Sequence, residues 1–290
     1  MVRPLMWRFV VILTTSLTVA SAADDEISLG RLVAQPTPLA LCNTSSDDYG
    51  PSFDPISHSL VFTSERSGKA AIYQCSMKEG SLASPFSGTF NNDHEQRAFI
   101  AVAKDGDAVG IAYQGYEEQS YPGIVTVTRD DGRLNLGHPI AAVSGPFFVS
   151  HPAISPDGSR LVFTTDRDGG EGGLDLWISE RRDDRSWSSP INLGRSINSE
   201  RDDVSPTFLS SDTLVFASNG VGGKGGLDIF YSVFRNGAWQ EPVPLDWLNS
   251  EFDDSDCFVM EDGSQVFASN RPGGSGGLDL WVAKRVVNGE

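Results

Sequence analysis

A nine-residue block, Gly-Gly-x-Gly-Gly-Leu-Asp followed by two apolar residues, occurs three times in this chain. The copies run from Gly169 to Trp177, Gly222 to Phe230 and Gly273 to Trp281. Their aspartates, Asp175, Asp228 and Asp279, are separated by steps of 53 and 51 residues. Self-similarity at a fixed period of this size means one supersecondary unit duplicated along the chain, each copy burying its apolar face against the next.

An apolar triplet precedes each glycine block and extends the repeat to five units. Leu60-Val61-Phe62, Val109-Gly110-Ile111, Leu161-Val162-Phe163, Leu214-Val215-Phe216 and Gln265-Val266-Phe267 occupy one column. Short apolar runs bounded by Gly, Asp and Ser read as strands buried on both faces. Each unit shows four strands. The first ends in a tight turn, as at Ser155-Pro156-Asp157-Gly158, and the triplet is the second. The glycine loop leads to the third. The fourth is marked by proline (Pro85, Pro139, Pro190, Pro242), which suits an outer edge where a missing N–H does little harm. The expectation is an all-β, five-bladed β-propeller of four-stranded blades, spanning about 45–90, 91–142, 146–196, 200–248 and 251–285.

The fifth unit stops after its third strand. Val33 to Asp48 aligns without a gap on Trp239 to Asp254, matching Pro36 with Pro242, Leu39 with Leu245 and Asn43 with Asn249. An N-terminal strand within 33–41 is therefore expected to complete blade 5 and close the ring, leaving no unpaired central edge. The second unit diverges most: Tyr113 to Gly123 replaces the double-glycine loop. The segment Gln114 to Pro122 reads as a loop and, with Tyr116 and Tyr121, as a contact site on a rigid scaffold.

Residues 1–22 have the layout of a secretory signal peptide: Arg3 and Arg8, an apolar run from Phe9 to Val19, then Ala20-Ser21-Ala22. The remainder, 23–290, is expected to be a single exported domain, periplasmic or secreted, monomeric, with no lipid anchor and no membrane insertion after cleavage. The chain carries a net charge of −17, which repels nucleic-acid phosphates and anionic lipid and favours cations or a basic partner. Cys42, Cys75 and Cys257 are too few for a disulfide framework. Cys42 and Cys75 lie near the first repeat and could pair, but three free buried thiols are expected.

The Ser155-Pro156-Asp157-Gly158 turn, the apolar triplet, the glycine loop before Leu174-Asp175-Leu176-Trp177 and the Arg-bearing tails at Arg66, Arg167 and Arg271 resemble the TolB-like β-propeller repeat. The resemblance implies an exported bacterial envelope protein that works by binding, often alongside a peptidoglycan-binding module for which this chain has no room.

In a propeller, the turn leading into the innermost strand and the loop between the second and third strands open on one face. That places Asp47-Asp48, Asp202-Asp203 and Asp253-Asp254 around one channel mouth, on an acidic arc of blades 4, 5 and 1. Such an arc suits cationic side chains of a partner, or Ca²⁺, which wants several oxygens. Equally, the carboxylates can hold backbone N–H groups and pair with Arg66, Arg167, Arg201 and Arg271, and Asp175, Asp228 and Asp279 can hold loop amides. Histidine 151 aligns with Ser205 near the mouth. The glycine loops spell no phosphate-binding pattern, and no G-x-S-x-G or metalloprotease motif occurs. The expected function is a non-enzymatic module that binds an envelope protein or peptide through its acidic face. The alternative is a carbohydrate-active hydrolase or lyase using Asp47, Asp202 and Asp253, with or without a metal.

Overall fold

The computed structural model describes residues 34–76, 82–91, 95–103, 106–116 and 119–284. The expected signal peptide, 1–22, lies outside them. The described residues contain strands and turns and no helix, arranged as five antiparallel sheets. Blade 5 holds β1 (Thr37–Pro38) together with the last three strands of the chain. Blade 1 is β2 (Asp48–Asp54), β3 (Ser59–Ser64), β4 (Ala71–Cys75) and β5 (Ser84–Pro85). Blade 2 is β6 (Arg97–Val102), β7 (Ala108–Tyr116), β8 (Gln119–Asp130) and β9 (Arg133–Pro139). Blade 3 is β10 (Val149–Ile154), β11 (Arg160–Thr165), β12 (Asp175–Glu180) and β13 (Ile191–Asn192). Blade 4 is β14 (Asp203–Ser210), β15 (Thr213–Ser218) and β16 (Asp228–Arg235), edged by β17 (Ala238–Trp239) and β18 (Val243–Pro244). The chain ends blade 5 with β19 (Asp254–Val259), β20 (Gln265–Ser269) and β21 (Asp279–Ala283). These sheets form the five-bladed β-propeller that the repeat implies.

The ring closes as expected. Strand β1 pairs antiparallel with β21, Thr37 opposite Val282 and Pro38 opposite Trp281, and the Leu39 amide donates to the Leu280 carbonyl at 2.8 Å. Asn43 then brackets Leu280, its Oδ1 accepting the Leu280 N–H and its Nδ2 donating to the carbonyl, both at 2.9 Å. Asn198 does the same to Leu176, Asn249 to Ile229 and Asn91 to Ile72. A carboxamide carries one donor and one acceptor side by side, so it can stand in for a neighbouring strand.

Packing against blade 1 corrects one expectation. Cys42, in the turn after β1, and Cys75, at the end of β4, form a disulfide with Cα atoms 6.0 Å apart. Folding the closing strand onto blade 5 carries its following turn against blade 1, which brings the two cysteines together. Cys257 remains free and buried, and burial together with Asp256 pushes its thiol up to about 12.

Hydrophobic cores lie between neighbouring sheets. Leu60 and Phe62 of blade 1 pack with Val266 and Leu280 of blade 5, while Val162 and Leu176 of blade 3 pack with Leu214 and Phe216 of blade 4. The apolar triplets are buried throughout, and Trp177, Trp187, Trp239 and Trp281 are packing residues. Burying both faces of every blade explains why these strands read as continuous apolar runs instead of alternating.

Blade 2 corrects a second expectation. Gln114 to Pro122 is no irregular loop: β7 and β8 continue as one hairpin, pairing Tyr113 with Pro122, Gln114 with Tyr121 and Tyr116 with Gln119. Tyr113, Tyr116 and Tyr121 are of a type that favours a pleated ladder, and the missing glycine block removes what bends the other blades into a loop.

Candidate functional site

The glycine block works as a joint between blades. Its first glycine has positive φ (91° at Gly169, 89° at Gly222, 106° at Gly273), a conformation open to glycine at little cost. The third lies against the next blade: a Cβ on Gly225 would stand 2.0 Å from the Phe252 carbonyl oxygen, and one on Gly276 2.4 Å from that of Ser46. Buried Asp228 and Asp279 hold the loops, Asp228 Oδ2 accepting from Lys224 and Gly225 at 2.8 and 3.0 Å and Asp279 Oδ2 from Ser275 and Gly276 at 2.8 and 2.9 Å. Asp175 takes the Glu171 amide.

The acidic columns meet those joints. Asp202, Asp253 and Asp47 each accept, through Oδ1, the leucine amide of the preceding block: Leu174 at 3.0 Å, Leu227 at 3.0 Å and Leu278 at 2.8 Å. The second oxygen of Asp253 takes the Asn270 amide at 2.9 Å, and that of Asp202 takes Asn219 at 3.5 Å. Asp48, Asp203 and Asp254 are wholly buried. Their Oδ2 atoms accept from Thr44, Ser199 and Ser250 at 2.5–2.6 Å. Arg66 Nη2 pairs with Asp48 Oδ1 at 2.8 Å, and Arg271 Nη2 pairs with Asp254.

Among the described residues, the pairing of carboxylates with Arg167 and Arg201 that the sequence suggests is not formed. Blade 3 keeps Arg167 but carries Val149 where blades 1 and 5 carry Asp48 and Asp254. Blade 4 keeps Asp203 but has Gly220 where the others have arginine. Burial raises the Asp203 carboxyl above the usual carboxylate range, helped by nearby Asp175 and opposed by hydrogen bonds from Ser218 and Ser199. Burial lowers Arg167 to about 10.

A column of which sequence reasoning aligned only His151 and Ser205 lines the axis. Gly50, Phe99, His151, Ser205 and Asp256 occupy equivalent places in the five innermost strands, all at φ between 46° and 60°. Each sits in a register shift between the first and second strands of its blade. These are β-bulges, which re-aim side chains. Phe99 packs on Tyr49 and His151, with centroids 5.4 and 3.9 Å away, and His151 Nε2 lies 3.6 Å from Asp256 Oδ1. Residues of blades 1, 2, 3 and 5 meet only if they face the axis. Burial lowers the His151 pKa against the pull of Asp256, and burial, followed by Glu65, Asp256 and Asp47, raises that of Tyr49. The available signal was an aligned Gly, His, Ser and Asp inside strands, types that tolerate left-handed backbone.

Of the sequence-derived acidic residues, the structure brings Asp47 and Asp253 together. They line one cavity of about 330 Å³ at the junction of blades 4, 5 and 1, with Ser255, Asn270, Leu227 and Leu278. Asp202 stays at the junction of blades 3 and 4. Neither Asp47 nor Asp253 forms an ion pair among the described residues. No group of three or more His, Cys, Asp or Glu among them is placed to hold a metal. Tyr116 and Tyr121 belong to the blade 2 hairpin.

No protein-family model and no curated protein matches this chain. Solved structures do. An endo-arabinase from Bacteroides thetaiotaomicron is 14% identical with a TM-score of 0.57, covering 89% of this chain and 100% of its own. A thermostable family-43 glycoside hydrolase is 10% identical with a TM-score of 0.56, covering 86% of this chain and 91% of its own. TolB from Acinetobacter baumannii is 11% identical with a TM-score of 0.49; the match covers 84% of this chain but 56% of that one. The two matches with TM-scores above 0.5 show the propeller fold, and a fold alone does not fix function.

Proposed function

We propose that this chain is an exported, non-enzymatic propeller that binds a cationic group of a protein or peptide partner at the acidic mouth. The observation that carries this reading is the cavity holding Asp47 and Asp253 without an arginine, lysine or histidine counterion among the described residues. An ammonium or guanidinium group entering it supplies that counterion, and the net charge of −17 draws such a partner in. The Cys42–Cys75 bond supports an oxidising compartment.

Of the three carboxylates expected for a hydrolase, Asp202 and Asp253 have both oxygens taken, while Asp47 gives only Oδ1, to the Leu278 amide. A glycosidase needs one carboxyl free to give a proton and another free to attack or to activate water. Asp48 and Asp254 are buried in ion pairs. What favours a second, catalytic reading is the His151–Asp256 contact on the axis.

The test is binding of short peptides that differ only in one lysine exchanged for norleucine. Asp47→Asn is the informative variant, because its carboxamide oxygen can still accept the Leu278 amide. The lysine peptide should bind in a salt-sensitive way, and D47N should weaken it about tenfold or more. Equal binding of both peptides, or no effect of D47N, contradicts the proposal. Turnover of a glycan panel that is lost in Asp256→Asn would favour the catalytic reading instead.

A further inference from the structure

The five blades allow one position to be compared in chemically different copies. In blade 1 the Arg66 guanidinium makes three side-chain bonds: Nε donates to Ser64 Oγ at 2.7 Å, and Nη2 to Asp48 and the Cys42 carbonyl. Arg271 repeats this in blade 5 with Ser269 at 3.0 Å, Asp254 and the Leu248 carbonyl. The backbone register is the same in blade 3, where Val149 faces Thr165 as Asp48 faces Ser64 and Asp254 faces Ser269. Yet Arg167 has one side-chain bond, Nη2 to the Val143 carbonyl at 2.6 Å, and its buried Nε has no partner.

Aromatic rings frame this guanidinium. Phe147, Phe163 and Trp177 have centroids 4.5, 5.1 and 5.3 Å from its central carbon, and half-exposed Phe148 follows Phe147 in sequence. Rings stabilise the cation's face but leave its in-plane N–H groups unsatisfied. A partly desolvated guanidinium with a buried N–H left unmet and no counter-charge is costly. At the equivalent sites two groups satisfy the guanidinium: a serine Oγ takes Nε, and a carboxylate takes Nη2 and supplies the counter-charge that blade 3 lacks.

We propose that Arg167 is an anion-recognition residue that takes a carboxylate of the peptide partner, a free C-terminus or an Asp or Glu side chain, seated beside Phe147. This extends the partner reading above to a second contact with opposite charge. The overall negative charge of the chain disfavours polyanions and leaves an isolated carboxylate as the fitting ligand.

The test uses the mature protein with benzoate as probe and chloride at matched ionic strength as control, read by NMR at the arginine Nε–H resonances. The Arg167 resonance is identified by its absence in Arg167→Lys. Benzoate should shift it saturably, while Arg66 and Arg271, held by their own aspartates, should stay in place. Val149→Asp supplies an internal carboxylate as in blades 1 and 5, and should weaken the benzoate response about tenfold or more. The proposal is overturned by a response that never saturates, by an equal response to chloride, by equal shifts at all three arginines, or by undiminished binding in a folded V149D protein. Should V149D fail to fold, the comparison of Arg167 with Arg66 and Arg271 decides alone. D47N should leave the benzoate response intact, so failure of the cationic pocket and failure of the Arg167 site are separately visible.

Discussion

Three aspartates at one repeat position have different electrostatic fates because their partners differ. Asp48 and Asp254 are buried against Arg66 and Arg271, whereas Asp203 is buried without an arginine. Removing one member of a buried pair strands the other charge, so Asp254→Ala should cost about 3–5 kcal/mol in a denaturant titration. Asp203→Asn should do the opposite at neutral pH. The folded protein holds the Asp203 carboxyl above its unfolded pKa, so protonation favours the fold. That contribution is lost as pH rises from about 4 through the raised folded value. The Tm advantage of D203N over the parent should therefore grow as pH rises through that window, to about 2–4 °C, on the order of 1 kcal/mol. A constant or reversed difference across the titration would contradict it.

At the level of the element, the glycine block is a hinge-free joint whose two kinds of glycine respond differently to a methyl group. Gly225 has the Phe252 carbonyl where its Cβ would go, so Gly225→Ala must push two blades apart, at about 1–3 kcal/mol or more. Gly222 has open space but positive φ, so Gly222→Ala should cost only about 1–2 kcal/mol of backbone strain. Equal Tm losses for the two would refute this distinction. Blades were legible in the sequence because the second strand of each buries both faces, which leaves apolar triplets that align by eye. The loop roles of Asp175, Asp228 and Asp279 were legible for a similar reason: a carboxylate after four glycines has amides within reach. The blade 2 hairpin was not, because Tyr113 to Gly123 departs from the repeat and departure alone does not distinguish a loop from a longer ladder. Of the axial column only the alignment of His151 with Ser205 was legible, since a bulge depends on the register of two strands and not on the residue types of one.

Across the whole molecule, two bonds of different kinds close the ring: hydrogen bonds from β1 to β21 and the Cys42–Cys75 disulfide to blade 1. The crosslink spans a sequence separation of 33 residues. Loop-closure entropy for that length gives a loss of about 3–4 kcal/mol on reduction. Chemical denaturation with and without reductant measures it, and an unchanged midpoint would argue against the bond. That Asp47 and Asp253 come to one junction was foreseeable from strand grammar; Asp202 stays at the next one. That these aspartates can hold backbone N–H groups was legible too; which amides they hold, those of the leucines in the preceding block, was not, because that depends on how one blade sits against the next.

Closure by the N-terminal strand underlies the placement of every residue named at the mouth. Native-state hydrogen exchange at the amides of Leu39 and Leu280 tests it most directly, since Leu39 donates to Leu280 and Leu280 to Asn43. Both amides should be protected as strongly as Phe163 in the middle of blade 3. Exchange of Leu39 and Leu280 at unfolded-chain rates, with blade 3 still protected, would mean that the ring is open.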